Sequence, residues 1–243
     1  MTESKTDRIV ASRLKVRERF LKQVRDTPGM ADSTPQGSGP INRHGMPQLP
    51  PQQKASKKWP VLDLGEHPDV TRDSWQLQVD GCCSDPLTLD FAALMALPQT
   101  EDTSDFHCVT GWSKLDLTWV GVRFSELAER VGMTDEARFI LCHGYDGYTT
   151  NLPLEEALKD DVLLAHTVEG DPLSKEHGGP VRLITPQLWA WKGSKWLKRI
   201  EFLREDVLGF WEERGYSNTA HPWRNDRYGD DGPPEGAEVL PED

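Results

Sequence analysis

Only four cysteines occur in 243 residues, and no two are spaced as Cys-x-x-Cys. Cys82 and Cys83 are adjacent, whereas Cys108 and Cys142 stand apart. That pattern suits neither the disulfide framework of a small secreted domain nor a structural zinc site, so reduced thiols are expected. Long apolar runs are also missing. Nothing approaches the ~20 consecutive apolar residues that span a bilayer, and the N-terminus shows no signal-peptide core and no twin-arginine pair. These absences predict a cytoplasmic protein with no membrane span. Cations are scarce over most of the chain: residues 59–243 hold 16 Lys and Arg against 35 Asp and Glu, and the formal net charge is −12. An acidic body repels phosphate backbones, which excludes a nucleic-acid partner.

The missing cations gather at the N-terminus, where residues 1–58 carry 12 Lys and Arg against 5 acids. Ile9, Val10, Leu14, Val16, Phe20, Leu21 and Val24 recur there at helical spacing, predicting a basic amphipathic helix within residues 1–26. It packs on the acidic body, or lies on a partner or membrane surface. Proline and glycine interrupt every candidate element in residues 27–58, so an extended linker or wrapping arm without regular structure is expected. The 36% apolar content with nine Trp can fill one sizeable core, assigned to residues 59–228. An acidic, Gly- and Pro-rich tail, 229–243, is expected to be disordered or loosely docked.

Within the core, residues 75–81 alternate apolar and polar side chains up to Asp80-Gly81, which predicts a strand entering a turn. Residues 89–97 and 124–131 read as helices, the second closed by Gly132. Residues 106–109, 138–142, 162–168, 181–185 and 196–203 read as extended, and 152–158 as helical. Short strands and helices mix without a regular βαβ period, which predicts an α+β fold.

Four features carry candidate chemistry. Cys108 lies in Asp105-Phe106-His107-Cys108-Val109-Thr110-Gly111-Trp112-Ser113. A thiol in this setting is a small core residue, a nucleophile or a soft-metal ligand, and residue chemistry leaves the three open. The segment His177–Arg204 concentrates Arg182, Lys192, Lys195, Lys198, Arg199 and Arg204 with one acid, Glu201. This density suits a bound anion cradled with backbone N–H groups near Gly193, or a solvated face. Trp189, Trp191 and Trp196 interleave with Lys192 and Lys195, a pattern that stacks a heterocycle or simply fills a core. His143-Gly144-Tyr145-Asp146-Gly147-Tyr148 reads as a glycine-rich binding loop or an ordinary hairpin turn. A zinc centre from Cys108, His107, Cys142 and His143 is disfavoured, because adjacent Cys-His pairs give poor tetrahedral geometry.

In order along the chain, Pro60–Gly65, Trp75–Gly81, Pro86–Leu89, Phe106–Ser113, His177–Leu183 and Lys195–Ile200 resemble the molybdopterin-binding domain of the sulfite oxidase family. The resemblance covers about Pro60 to Tyr228. It implies a mixed-sheet α+β domain and a molybdenum cofactor with one pterin per metal. By the same resemblance Cys108 is the single protein ligand to molybdenum. His177, Arg182, Gly193, Ser194 and Lys195 hold the pterin and its phosphate, and Asp63, His143 and Gly144 lie near the cofactor. His107 and Trp112 are expected to flank a pocket for a small substrate, an oxyanion, S-oxide or N-oxide that exchanges an oxygen atom, with His107 a catalytic candidate. Family members that add a haem domain and a β-sandwich domain are longer than this chain, so no haem and a separate electron donor or acceptor are expected. The substrate-binding arginines expected of a sulfite oxidase are not evident in the sequence around Cys108. Two readings from other classes remain at this stage: a cofactor-bearing subunit or carrier without turnover, and a cofactor-free scaffold.

Overall fold

The computed structural model describes residues 4–25 and 35–229. The alternation in residues 75–81 becomes β4 (Gln76–Gly81), with Leu77 and Val79 buried and Gln76 and Gln78 exposed. It joins a five-stranded sheet with β5 (Leu87–Asp90), β8 (Phe139–Gly144), β9 (Thr149–Pro153) and β13 (Leu197–Leu203), in the order β5-β4-β13-β8-β9. The β4–β13 pair is parallel and the others are antiparallel. Trp75, fully buried beside β4, donates its indole N–H to the Leu197 carbonyl at 2.8 Å and pins the two distant segments together.

A second, six-stranded sheet is built on the long hairpin β6 (Thr100–Cys108) and β7 (Trp112–Arg123). Strand β10 (Leu163–Val168) pairs with β7, and β11 (Asp171–Pro172) and β12 (Arg182–Ile184) pair with β10. One face of this sheet and the five-stranded sheet share a core with α2 (Phe91–Met95) and α3 (Phe124–Arg130). Asp90 caps α2 by accepting from the Ala93 N–H at 2.7 Å. The expected helix at 152–158 shrinks to α4 (Leu154–Ala157), because residues 149–153 are drawn into β9 by pairing with β8. His143 and Gly144 likewise belong to β8 rather than to a loop.

The helix expected at the N-terminus is α1 (Lys5–Arg25). Its apolar face packs on the domain, where Val10, Phe20 and Leu21 meet Leu64, Tyr148, Trp211, Tyr216 and Tyr228. Thr6 and Lys5 donate to the Leu64 and Gly65 carbonyls at 3.0 and 2.6 Å. The proline- and glycine-rich arm departs from expectation: it forms β1 (Ser38–Ile41), β2 (Pro47–Leu49) and β3 (Lys54–Ala55). Strand β3 adds in parallel to the start of β7, so tertiary pairing overrides weak local propensity. Residues 27–34 of that arm, and 230–243 of the expected acidic tail, lie outside the described residues. Among the described residues, no helix is long and apolar enough to cross a membrane.

Candidate cofactor and substrate cavity

Strand β6 alternates its side chains between two faces, so His107 and Cys108 point in opposite directions. Cys108 faces a partly open cavity of about 120 Å³. The turn to β7 requires Gly111, which adopts φ +100°. The Cys108 thiol lies 3.1 Å from the Thr110 hydroxyl and is 7% exposed. Burial pushes its pKa up, opposed by the Thr110 hydrogen bonds and by the charges of Arg13 and Arg227.

His107 corrects the expectation of a catalytic histidine. It lies on the far side of the strand, 1% exposed, with Nδ1 2.8 Å from the Ser113 hydroxyl and its ring edge-on to Trp223. Burial lowers its pKa to about 3, so the ring is neutral. Trp112, its expected companion, does line the cavity.

The basic segment supplies the opposite wall. Arg182 on β12 is 2% exposed and donates to the carbonyls of His177, Gly193 and Leu183 at 3.0, 3.3 and 3.5 Å. Its guanidinium stands 5.2 Å from the Phe106 ring centroid. Among the described residues no carboxylate lies within ion-pair distance of it, and burial lowers its pKa to about 10. Lys195 donates to the Glu176 carbonyl at 2.6 Å and stands 3.5 Å from Asp63 Oδ2. Burial and the nearby Arg182 lower its pKa to about 8. His177 is held neutral, at about 4, by burial and by the positive charges of Arg182 and Lys195. Gly178 lets this wall close: at φ +99°, a Cβ there would stand 3.0 Å from Lys195 Cα.

Asp63 is bonded by the Gly65 N–H and His67 at 2.8 Å each. Burial raises its pKa, but these bonds and Lys195 outweigh burial and the carboxyl titrates below its ordinary value. The cavity therefore brings together Cys108, Asp63, His177, Arg182, Gly193 and Lys195. Ser194, His143 and Gly144 are not on its surface. Ser194 is fully buried, bonding the Lys195 carbonyl at 3.3 Å. His143 points toward Glu201, 3.7 Å away, because its position on β8 alternates away from the cavity. Gly144 backs the wall, since a Cβ there would meet Asp146 Oδ1 at 2.4 Å and the Lys195 carbonyl at 2.8 Å.

Several contributors were not read from sequence. Trp59 stacks on His177 with centroids 3.7 Å apart and 8° between planes. Arg13 of α1, with Trp211 and Tyr216 from the far end of the chain, completes the rim. Arg13 had a signal: it falls on the inward face of an amphipathic helix, where a solvated cation does not belong. Arg13 and Arg227 bring positive charge to Cys108 from segments remote in sequence. The zinc reading finds no support: among the described residues no group of three His, Cys, Asp or Glu side chains is arranged to hold a metal. Cys142 is buried in the core, with its thiol pushed up to about 12.

One aromatic-walled cavity thus carries a soft thiol and a buried guanidinium that, among the described residues, has no carboxylate within ion-pair distance. Residues 64–211 match the oxidoreductase molybdopterin-binding domain family, and the chain belongs to that family of oxidoreductases. It is 44% identical over 184 residues to the uncharacterized oxidoreductase YuiH of Bacillus subtilis, covering 74% of this chain and 92% of that protein. It is 28% identical over 176 residues to the protein-methionine-sulfoxide reductase catalytic subunit MsrP of Campylobacter jejuni, covering 61% of this chain but 59% of the relative. In fold it resembles the sulfane dehydrogenase SoxCD of Paracoccus pantotrophus, with a TM-score of 0.54 and 24% identity over 58% of this chain and 41% of SoxCD.

Proposed function

We propose that the protein transfers an oxygen atom to or from a small substrate, with S-oxides the first candidates, at a molybdenum–pterin group bound through Cys108. The observation that carries this reading is that Cys108 and Arg182 share one cavity, Arg182 being a buried cation without a carboxylate partner among the described residues. When bound, the group supplies two-electron redox chemistry. Arg182 and Lys195 would hold its phosphate, with Gly193, whose carbonyl accepts from Arg182 at 3.3 Å, lining the cavity beside them. Trp59 and His177 form a flat wall that orients a ring system beside the cations. Aromatic lining from Phe106, Trp112, Trp191 and Trp211 excludes bulk water from the thiol. Burial keeps Cys108 protonated when no metal is bound, and a metal bound there would favour the thiolate, the proton leaving to solvent.

The substrate class draws support from the likeness to a methionine-sulfoxide reductase subunit. Removing oxygen from a sulfoxide as water consumes two electrons and two protons, so a separate electron donor is required. Protein purified from a host that makes the cofactor is assayed for molybdenum by elemental mass spectrometry and for pterin by fluorescence. It is then turned over with reduced viologen on methionine sulfoxide, dimethyl sulfoxide and trimethylamine N-oxide, and tested for oxidation of sulfite. Cys108→Ser is expected to abolish turnover, and Arg182→Ala to lower pterin content. Full activity in Cys108→Ser, or wild-type cofactor content in Arg182→Ala, refutes the respective assignment.

A further inference from the structure

The face of α1 turned away from the domain has no role in the cavity, yet it is strongly charged. Arg8, Lys15, Arg19 and Lys22 follow one another at spacings of 7, 4 and 3 residues, which aligns them on one side of the helix. All four are exposed, and among the described residues none has a carboxylate within ion-pair distance. Arg13 and Arg17 fall on the opposite side. Arg13 lines the cavity with Cys108, and Arg17 is buried, donating to the Gly215 carbonyl at 3.0 Å. One helix thus carries a basic stripe outside and a wall of the redox cavity inside, separated by roughly a helix diameter, ~10–12 Å.

We propose that this stripe is the docking surface for an acidic, protein-borne one-electron carrier that exchanges electrons with the cavity beneath it. The inference rests on the oxidoreductase reading, which requires a carrier. Charge selects the partner: residues 59–243 hold 35 acids against 16 cations, so an acidic carrier is repelled over most of the body and attracted at α1. That contrast gives one docking orientation, and it is the one beside Cys108. The helix's apolar face is already occupied by Leu64, Trp211, Tyr216 and Tyr228, so it has no free apolar face to bury in a lipid bilayer.

The test uses the full-length holoprotein and the combined variant Arg8→Glu/Lys15→Glu/Arg19→Glu/Lys22→Glu, with the Gln series as a second variant should reversal impair folding. Binding is measured by biolayer interferometry to an acidic flavodoxin, a basic c-type cytochrome, and phosphatidylserine vesicles, at low and near-physiological salt. The wild type is expected to bind flavodoxin in a salt-sensitive way and to ignore the cytochrome. The variant should lose at least about tenfold in association rate, the lower range of electrostatic steering. Turnover driven by reduced viologen, a small molecule needing no docking, should be unchanged in the variant. Absence of flavodoxin binding, equal binding by the variant, or stripe-dependent binding to vesicles alone overturns the proposal. Loss of viologen turnover in the wild type would instead refute the enzymatic reading, and the binding comparison would still report on the surface.

Discussion

Lys192 and Glu212 form an ion pair 2.7 Å long with both side chains fully buried, and Lys192→Met should reveal how much of the cavity wall depends on it. The ammonium has three partners, Glu212 and the backbone and side-chain oxygens of Asn151, the latter two at 2.9 Å, so its three donors are used. Glu212 Oε1 also accepts from Thr150 at 3.1 Å and from the Trp191 indole at 3.0 Å. Methionine matches the stem of Lys192 but leaves a buried carboxylate without its cation. Removing one partner of such a pair typically costs about 3–5 kcal/mol. Urea unfolding followed by tryptophan fluorescence at neutral pH measures the loss. The double variant Lys192→Met/Glu212→Leu should recover part of the loss, since no charge is stranded. A loss below about 1 kcal/mol at neutral pH, within the range of a surface pair, would refute the reasoning. The pair also bears on the site: the Trp191 carbonyl accepts the Tyr148 hydroxyl at 2.6 Å, and both rings line the cavity, so cofactor content should fall with stability.

Three further outcomes are expected. Lys195 is lowered to about 8 by burial and Arg182, so an anion that requires its charge should be held less tightly as pH rises above that value; pterin retention after alkaline dialysis checks this, and pH-independent retention would contradict it. His107 is neutral with a pKa of about 3, below its unfolded value near 6.5, so its contribution is intact above 6.5 and is lost as pH falls toward 3. His107→Phe should flatten that acid slope in urea unfolding while leaving molybdenum content and viologen-driven turnover at wild type, and a cofactor-loaded variant without turnover would restore the catalytic reading. Gly144→Ala would force a Cβ to 2.4 Å from Asp146 and 2.8 Å from the Lys195 carbonyl, with an expected loss of about 1–3 kcal/mol and lower cofactor content.

Much of this arrangement was legible in the sequence, and the failures have physical causes. Strands such as β4 and β13 announce themselves by alternation, and α1 by its period, because each buries one face. Strand β3 did not, since Lys54-Ala55 has no apolar pattern and is extended only through its pairing with β7. The cation cluster at 177–204 pointed to an anion, and the structure places two of its members, Arg182 and Lys195, on the cavity. Lys192 instead serves the buried ion pair, and Arg199 pairs with Asp80 at 2.8 Å. His107 was misread because proximity in sequence to Cys108 puts it on the opposite face of a strand. Trp59 and Tyr216 were invisible, because only the tertiary fold carries them to the cavity, and Arg13 was marked only by its place on the inward face of α1.

The rim of the cavity is drawn from Arg13, Trp59, Cys108, Asp146, Lys195 and Tyr216, almost the whole length of the described chain. The contacts that dock α1 over it join segments remote in sequence, as in the bond from Arg17 to Gly215 across 198 residues. Closing loops of that size is entropically unfavourable until most of the core exists, so long-range contacts of this kind form late. No fragment released early from the ribosome contains a complete receptor. Cofactor loading accordingly belongs to the end of folding, and a defect in either terminal segment should appear as folded protein that fails to fill.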